Sequence, residues 1–234
     1  MNGTPVSLAL CSLLATSACG VTLMRVHPAN VAKVWVKPSS GRSTFCPGED
    51  FQVEVVAQLQ DGSTCSSTNR KMGCLGKKDA IMDPEEVRVE ASAGRLVGER
   101  REWSLQPDSN VLATAAEGLL LRGWLERTIE DRRFRSPVGE MRLRPSYDCQ
   151  QDKTFTYPSD LDPTHSGVRG PNLVVAATPL RTPFHPDAML IRVEKDGEHF
   201  HVISPSEGDP VRIFSKGQAG ARGDPGVDGQ DVTD

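Results

Sequence analysis

The chain has 234 residues, a formal net charge of −4, 17 prolines and only 5% aromatic residues. The mildly acidic balance removes the electrostatic case for nucleic acid, and no basic patch is present for anionic lipid headgroups. Many prolines and few aromatics suit short strands and frequent turns better than a helical bundle.

Residues 6–14 form a short apolar run, followed by the small residues Ala15-Thr-Ser-Ala18 and then Cys19-Gly20. The run is too short to span a bilayer and has the pattern of a signal-peptide core with a cleavage site. Residues 1–18 are therefore expected to be a signal peptide and 19–27 an anchor and tether. Thr16-Ser17-Ala18-Cys19 resembles the lipobox of bacterial lipoproteins, with Thr16 where that family usually has leucine and no Lys or Arg in residues 1–5. The resemblance implies a lipid on Cys19 and attachment to a membrane. Gly20, rather than aspartate, resembles the pattern of lipoproteins sent on to the outer membrane. Ordinary secretion is the other reading.

Residues 28–149 are expected to form one β-sandwich. Residues 31–37 read as a strand ended by Pro38-Ser-Ser-Gly41. The clearest element is residues 51–60, where Phe51, Val53, Val55, Ala57 and Leu59 share one face and Gln52, Glu54, Gln58 and Gln60 the other. Period two describes a half-buried antiparallel strand, and Asp61-Gly62 supplies its turn. Further strands are expected at 86–90, 95–97, 102–105, 110–115, 119–127 and 140–144. Turn signals at Ala93-Gly94, Pro107-Asp108 and Glu117-Gly118 separate several of them. Residues 119–133 also fit a helix, with Leu120, Trp124 and Ile129 near helical spacing; Gly118 and Gly123 favour the strand.

Cys46, Cys65, Cys74 and Cys149 form an even set in an exported chain, and two disulfides are expected. Four cysteines allow three connectivities. We favour Cys65–Cys74, which staples a local loop, and Cys46–Cys149, which ties the start of the domain to its last strand. The spacings do not match paired Cys-x-x-Cys zinc knuckles.

The strand at 31–36, the stretch 48–59 closed by Asp61-Gly62-Ser63, the Ser92-Ala-Gly94 turn and the closing strand at 139–143 together resemble the bacterial immunoglobulin-like modules of exported surface proteins. The resemblance covers about residues 28–149. It implies a spacer or adhesive unit; the two disulfides are not a general feature of that family.

Residues 150–171 read as a linker, with Asp, Pro, Thr, Ser and Gly and little periodicity. A small β-unit is expected over 172–216, with strands near 172–180, 189–194, 198–203 and 210–214 and a hairpin turn at Lys195-Asp-Gly197. Glycine then recurs at every third position, Gly217, Gly220, Gly223, Gly226 and Gly229. This period resembles collagen, in which only glycine fits the crowded axis of three polyproline-II strands. It implies a homotrimer, while the short run of repeats with the single Pro225 also fits a flexible acidic tail over 217–234. Arg222-Gly223-Asp224 spells an integrin-binding tripeptide, read here as a coincidence of solvent-facing repeat residues.

Chemistry-bearing residues are sparse. His199 and His201 project from one face of a strand and are weak metal candidates, with His185, Asp187 or Glu194 as a third ligand. The favoured alternative is a solvated polar face opposite Phe200 and Val202. No nucleophile elbow, phosphate loop or zincin motif occurs. Residues 126–135 carry both charge signs and read as a solvated hairpin or loop. The expectation is an all-β, non-enzymatic envelope lipoprotein of structural or adhesive role, without metal or cofactor. Its partners are the membrane, two further copies of itself, and an unidentified protein or glycan. A secreted or periplasmic module with its ligand on loops such as 65–74 is the alternative, and a metal-dependent hydrolase the least favoured.

Overall fold

A computed structural model of the protein describes residues 21–97, 103–150, 152–156 and 170–217. In chain order the sandwich contributes β1 (Thr22–Met24), β2 (Val31–Pro38), β3 (Thr44–Phe45), β4 (Phe51–Leu59), β5 (Thr64–Ser66), β6 (Ala80–Met82), β7 (Val87–Ala91), β8 (Arg95–Val97) and β9 (Trp103–Gln106). A short helix α1 (Leu112–Ala115) precedes β10 (Leu119–Ile129), β11 (Arg132–Arg135) and β12 (Gly139–Pro145). Beyond these lie β13 (Asp152–Thr156), β14 (Leu173–Leu180), β15 (Ala188–Lys195), β16 (Glu198–Pro205) and β17 (Arg212–Lys216). The fold is all-β.

Two sheets face each other. One runs β2-β4-β9-β8, with β5 also on β4; the other runs β11-β10-β12-β3, with β7 on the opposite edge of β10. This is the A-B-E-D against C-F-G order of an immunoglobulin-type sandwich, with β3 added in parallel beside the closing strand β12. The alternating apolar residues make the core: Val53, Val55, Ala57 and Leu59 of β4 face Leu119, Leu121 and Leu125 of β10, all buried. Both disulfides are formed as favoured. Cys65–Cys74 closes the local loop, and Cys46–Cys149 joins the residue after β3 to the turn after β12.

The outer face of β4 is more enclosed than a half-buried strand predicts, because the loop stapled by Cys65–Cys74 folds over it. Ser66 Oγ donates to Glu54 Oε1 at 2.6 Å and accepts the Asn69 N–H at 2.8 Å. Ser67 Oγ accepts the Val55 N–H at 2.9 Å, and Lys37 Nζ lies 3.3 Å from Glu54 Oε2. Glu54 is therefore buried but satisfied.

Two expectations are corrected. Residues 110–115 are not a strand. The Asp108 and Asn110 carboxyl and amide oxygens accept the N–H groups of Asn110 and Leu112, turning the chain into α1, where Val111 and Ala115 bury one helical face. The strand favoured over a helix within 119–133 is formed as β10, whose buried Leu119, Leu121 and Leu125 follow the strand period. The span 150–171, read as linker, begins with Gln150 in a 3-10 turn and then β13, which pairs in parallel with β17. A five-residue strand whose one apolar residue is Phe155 has too little periodicity to stand out in sequence.

The charged stretch 126–135 is a hairpin, as read. Glu130 and Asp131, both at positive φ, form its two-residue turn. Arg133 donates to Glu126 at 2.7 Å and holds that carboxyl below the usual range, and the Arg135 guanidinium lies 4.1 Å from the Trp124 ring centre.

Residues 173–205 form the antiparallel meander β14-β15-β16, with Asp196-Gly197 at positive φ in the expected turn. Its Ala188 and Ile203 share a buried cluster with Val111, Ala115 and Tyr147 of the sandwich. Arg144 Nη2 donates to the Phe184 carbonyl at 2.7 Å, and His185 Nε2–H donates to the Pro145 carbonyl at 3.1 Å. The small sheet thus builds its core against the end of β12. Among the described residues β14 pairs only with β15, and Val174 and Val175 are 65% and 49% exposed. An apolar edge of this kind invites pairing with another chain.

Candidate ligand groove

The junction between sandwich and small sheet holds a surface concavity built by several segments. A groove of about 730 Å³ is walled by Ser109 and Asn110 from the loop before α1, Gln150 after β12, residues 153–155 of β13 and residues 199–202 of β16. Four separate segments meet there. Clefts between structural units are favoured ligand sites because each unit supplies a rigid wall.

The groove mixes aromatic and polar chemistry. Phe155 and Phe200 meet edge to face with centroids 5.1 Å apart, and Phe200 remains 38% exposed. Gln150 is only 5% exposed, and its Oε1 has no hydrogen-bond partner. Such a group, buried without a partner, costs about 1–3 kcal/mol and is relieved by a ligand or ordered water. Lys153 is half-buried and has no ion pair among the described residues. None of the described residues lining the groove is a carboxylate.

His199 and His201 do lie on one face, as expected, opposite Glu194 and Arg192 of β15. Glu194 Oε2 accepts from Arg192 at 3.0 Å and stands 3.6 Å from His199 Nδ1, so that carboxylate already has Arg192 as its ion-pair partner. His185, another of the proposed third ligands, is turned away: its ring lies tilted 5.1 Å from Tyr147 and its Nε2–H is spent on Pro145. Among the described residues no three His, Cys, Asp or Glu side chains converge as a metal site.

The stapled loop 65–74 borders a second groove of about 410 Å³, where Met72 stands beside Trp35, Lys37 and Met141. Cys19, Gly220, Gly223, Gly226, Gly229 and the Arg222-Gly223-Asp224 tripeptide lie outside the described residues; Gly217 is exposed at the end of the last described segment. Comparison with protein-family models, curated proteins and solved structures finds no match.

Sequence reasoning picked out the two histidines and missed Gln150, Lys153 and Phe155. The only signal for these was the alternation of Lys153 and Phe155, too short to separate from loop. In the cluster that docks the small sheet on the sandwich, Tyr147 is 2% exposed with an unpartnered hydroxyl, and burial pushes its phenol up to about 12. The folded state therefore holds the proton more tightly than the unfolded state, whose phenol titrates near its ordinary value of about 10. This stability is intact below about pH 10 and is lost as pH rises towards 12. At pH 11 the protein should have lost about 1 kcal/mol more than Tyr147→Phe, relative to pH 8, in urea melts of both. At pH 8 the Phe variant should be no less stable, because it removes a buried hydroxyl that has no partner.

Proposed function

We propose that the protein is a non-enzymatic, extracytoplasmic lipoprotein of a bacterial cell envelope. It is anchored through Cys19 and presents a disulfide-braced immunoglobulin-like sandwich as a structural or adhesive unit. The observation that supports the compartment is the pair of disulfides, since such bonds persist in oxidising surroundings and are rare in the cytosol. The open apolar edge of β14 supports a role built on contact with other chains. The Gly-X-Y run from Gly217 would gather three copies, and the small sheet immediately before it would set their stagger.

Expression of the full chain in a double-membraned bacterium tests the reading. The expected product fractionates with the envelope, carries acyl groups on an N-terminal Cys19 by mass spectrometry, and is released from it by Cys19→Ser. A cytosolic product with Cys46, Cys65, Cys74 and Cys149 reduced would overturn it. Sedimentation equilibrium of the protein and of a version ending at Ser215 tests assembly: a trimer lost with the tail is the expected result, and monomers in both would remove the trimer. The junction groove favours a second reading, a secreted or periplasmic ligand-binding module, which shares the compartment but dispenses with the lipid.

A further inference from the structure

We propose that the groove between the sandwich and the small sheet is a binding site for an acidic saccharide, a short glycan bearing carboxylates. The inference rests on the extracytoplasmic reading above and names the ligand class of its contact surface.

The composition of the walls selects the chemistry. Phe200 offers an exposed ring braced edge-on by Phe155, a flat apolar platform for the C–H face of a sugar ring. Asn110 and Gln150 bring side-chain amides, each able to donate and to accept, which matches paired hydroxyls on a pyranose. Gln150 Oε1 is already desolvated and unpartnered, so a hydroxyl that reaches it replaces no existing protein contact.

Charge then narrows the class. Among the described lining residues Lys153 is the one permanently charged side chain, and none of them is a carboxylate. A lone cation in a concave, partly apolar site favours a ligand anion more strongly than one in open solvent. A neutral glycan would leave it without a counter-charge. An acidic peptide would find a cation but no use for the ring platform and paired amides. At about 730 Å³ the groove is of the size of sites that hold small organic ligands.

Isothermal titration calorimetry of the full, oxidised chain tests the assignment with trigalacturonate, maltotriose and pentaglutamate. Trigalacturonate should bind saturably and about tenfold more tightly than maltotriose, the size of effect a charge-assisted contact gives. Lys153→Gln should remove that difference and leave maltotriose unchanged. Asn110→Asp keeps the acceptor that caps Leu112 while adding a negative charge to the wall. It should weaken trigalacturonate alone, and Phe200→Ala should weaken both sugars. Circular dichroism melts confirm that each variant is folded. No binding of trigalacturonate, equal binding in Lys153→Gln, or pentaglutamate bound as tightly would overturn the proposal. Failure here with Cys19 acylated in the envelope fraction removes only the ligand; a cytosolic, reduced protein removes the compartment whatever calorimetry shows.

Discussion

Replacing Cys46 and Cys149 together by alanine should lower the unfolding free energy by about 4–5 kcal/mol, the largest effect of any pair in the sandwich. The bond spans 103 residues of sequence and encloses the chain from β4 to β12. Cutting it frees the unfolded chain to explore every conformation that this ring forbids. Cys65–Cys74 spans only 9 residues, so the same argument gives about 3 kcal/mol for its loss. Both cysteines of the short loop are buried, at 0% and 2% exposed, and alanine there also leaves small cavities. Guanidinium melts of the two double variants should therefore order them, with the long-range pair losing about 1 M in midpoint. Equal midpoints, or the reverse order, would mean that the long ring is already held together by residual structure when unfolded. Against a total stability of about 5–15 kcal/mol, loss of the long bond is a large fraction of the whole. Its position explains why: β3 is a two-residue strand that reaches β12 at Arg144 and Pro145, and the bond fixes this meagre pairing just beyond its end.

What could be read from sequence follows how far each segment's behaviour is decided locally. β4 is long and its Phe51, Val53, Val55, Ala57 and Leu59 keep an alternate spacing that survives ambiguity about neighbours, whereas β10 opens on three leucines and needed Gly118 and Gly123 to tell strand from helix. The Asp196-Gly197 and Asp61-Gly62 turns carry their own conformational signature, with both glycines at positive φ. Strands β1, β3 and β6, with two or three residues each, cannot show a period at all. They exist because a partner offers a ladder, as Ala80, Ile81 and Met82 do for Thr22, Leu23 and Met24. The same division runs through the groove. His199 and His201 were legible because their spacing places them on one face of a strand. Gln150 and Lys153 were not, since only the parallel pairing of β13 with β17 and the docking of the small sheet on Tyr147 bring that segment to β16. Local pattern reached the walls of the site but not their assembly.

The second large effect is expected at Gly139, and it tests how the two sheets meet. Gly123 and Gly139 face each other directly across the β10–β12 ladder, and β2 of the opposite sheet crosses above them. A Cβ on Gly139 would collide with the Val34 carbonyl and sit 3.0 Å from the Trp35 nitrogen. Those are backbone atoms, and no rotamer change can clear them. Neither glycine has a positive φ, so the demand is for space, not for backbone freedom. A Cβ on Gly123 meets only side chains, Val36 Cβ at 3.1 Å and Val55 Cγ2 at 3.2 Å, which can shift by tenths of an ångström. Gly139→Ala should thus destabilise by about 3 kcal/mol, at the upper end of overpacking costs, and Gly123→Ala by about 1 kcal/mol. Thermal melts give the ranking. The Trp35 side chain, 37% exposed beside this contact, supplies a local reporter: its fluorescence should shift in Gly139→Ala at temperatures where the fold is intact. If the two variants melt together, the sheets are not held at this line, and the close approach of β2 to β12 is not what fixes the spacing of the sandwich. If only Gly139→Ala is weakened, a single hydrogen atom in place of a side chain sets the distance between the sheets.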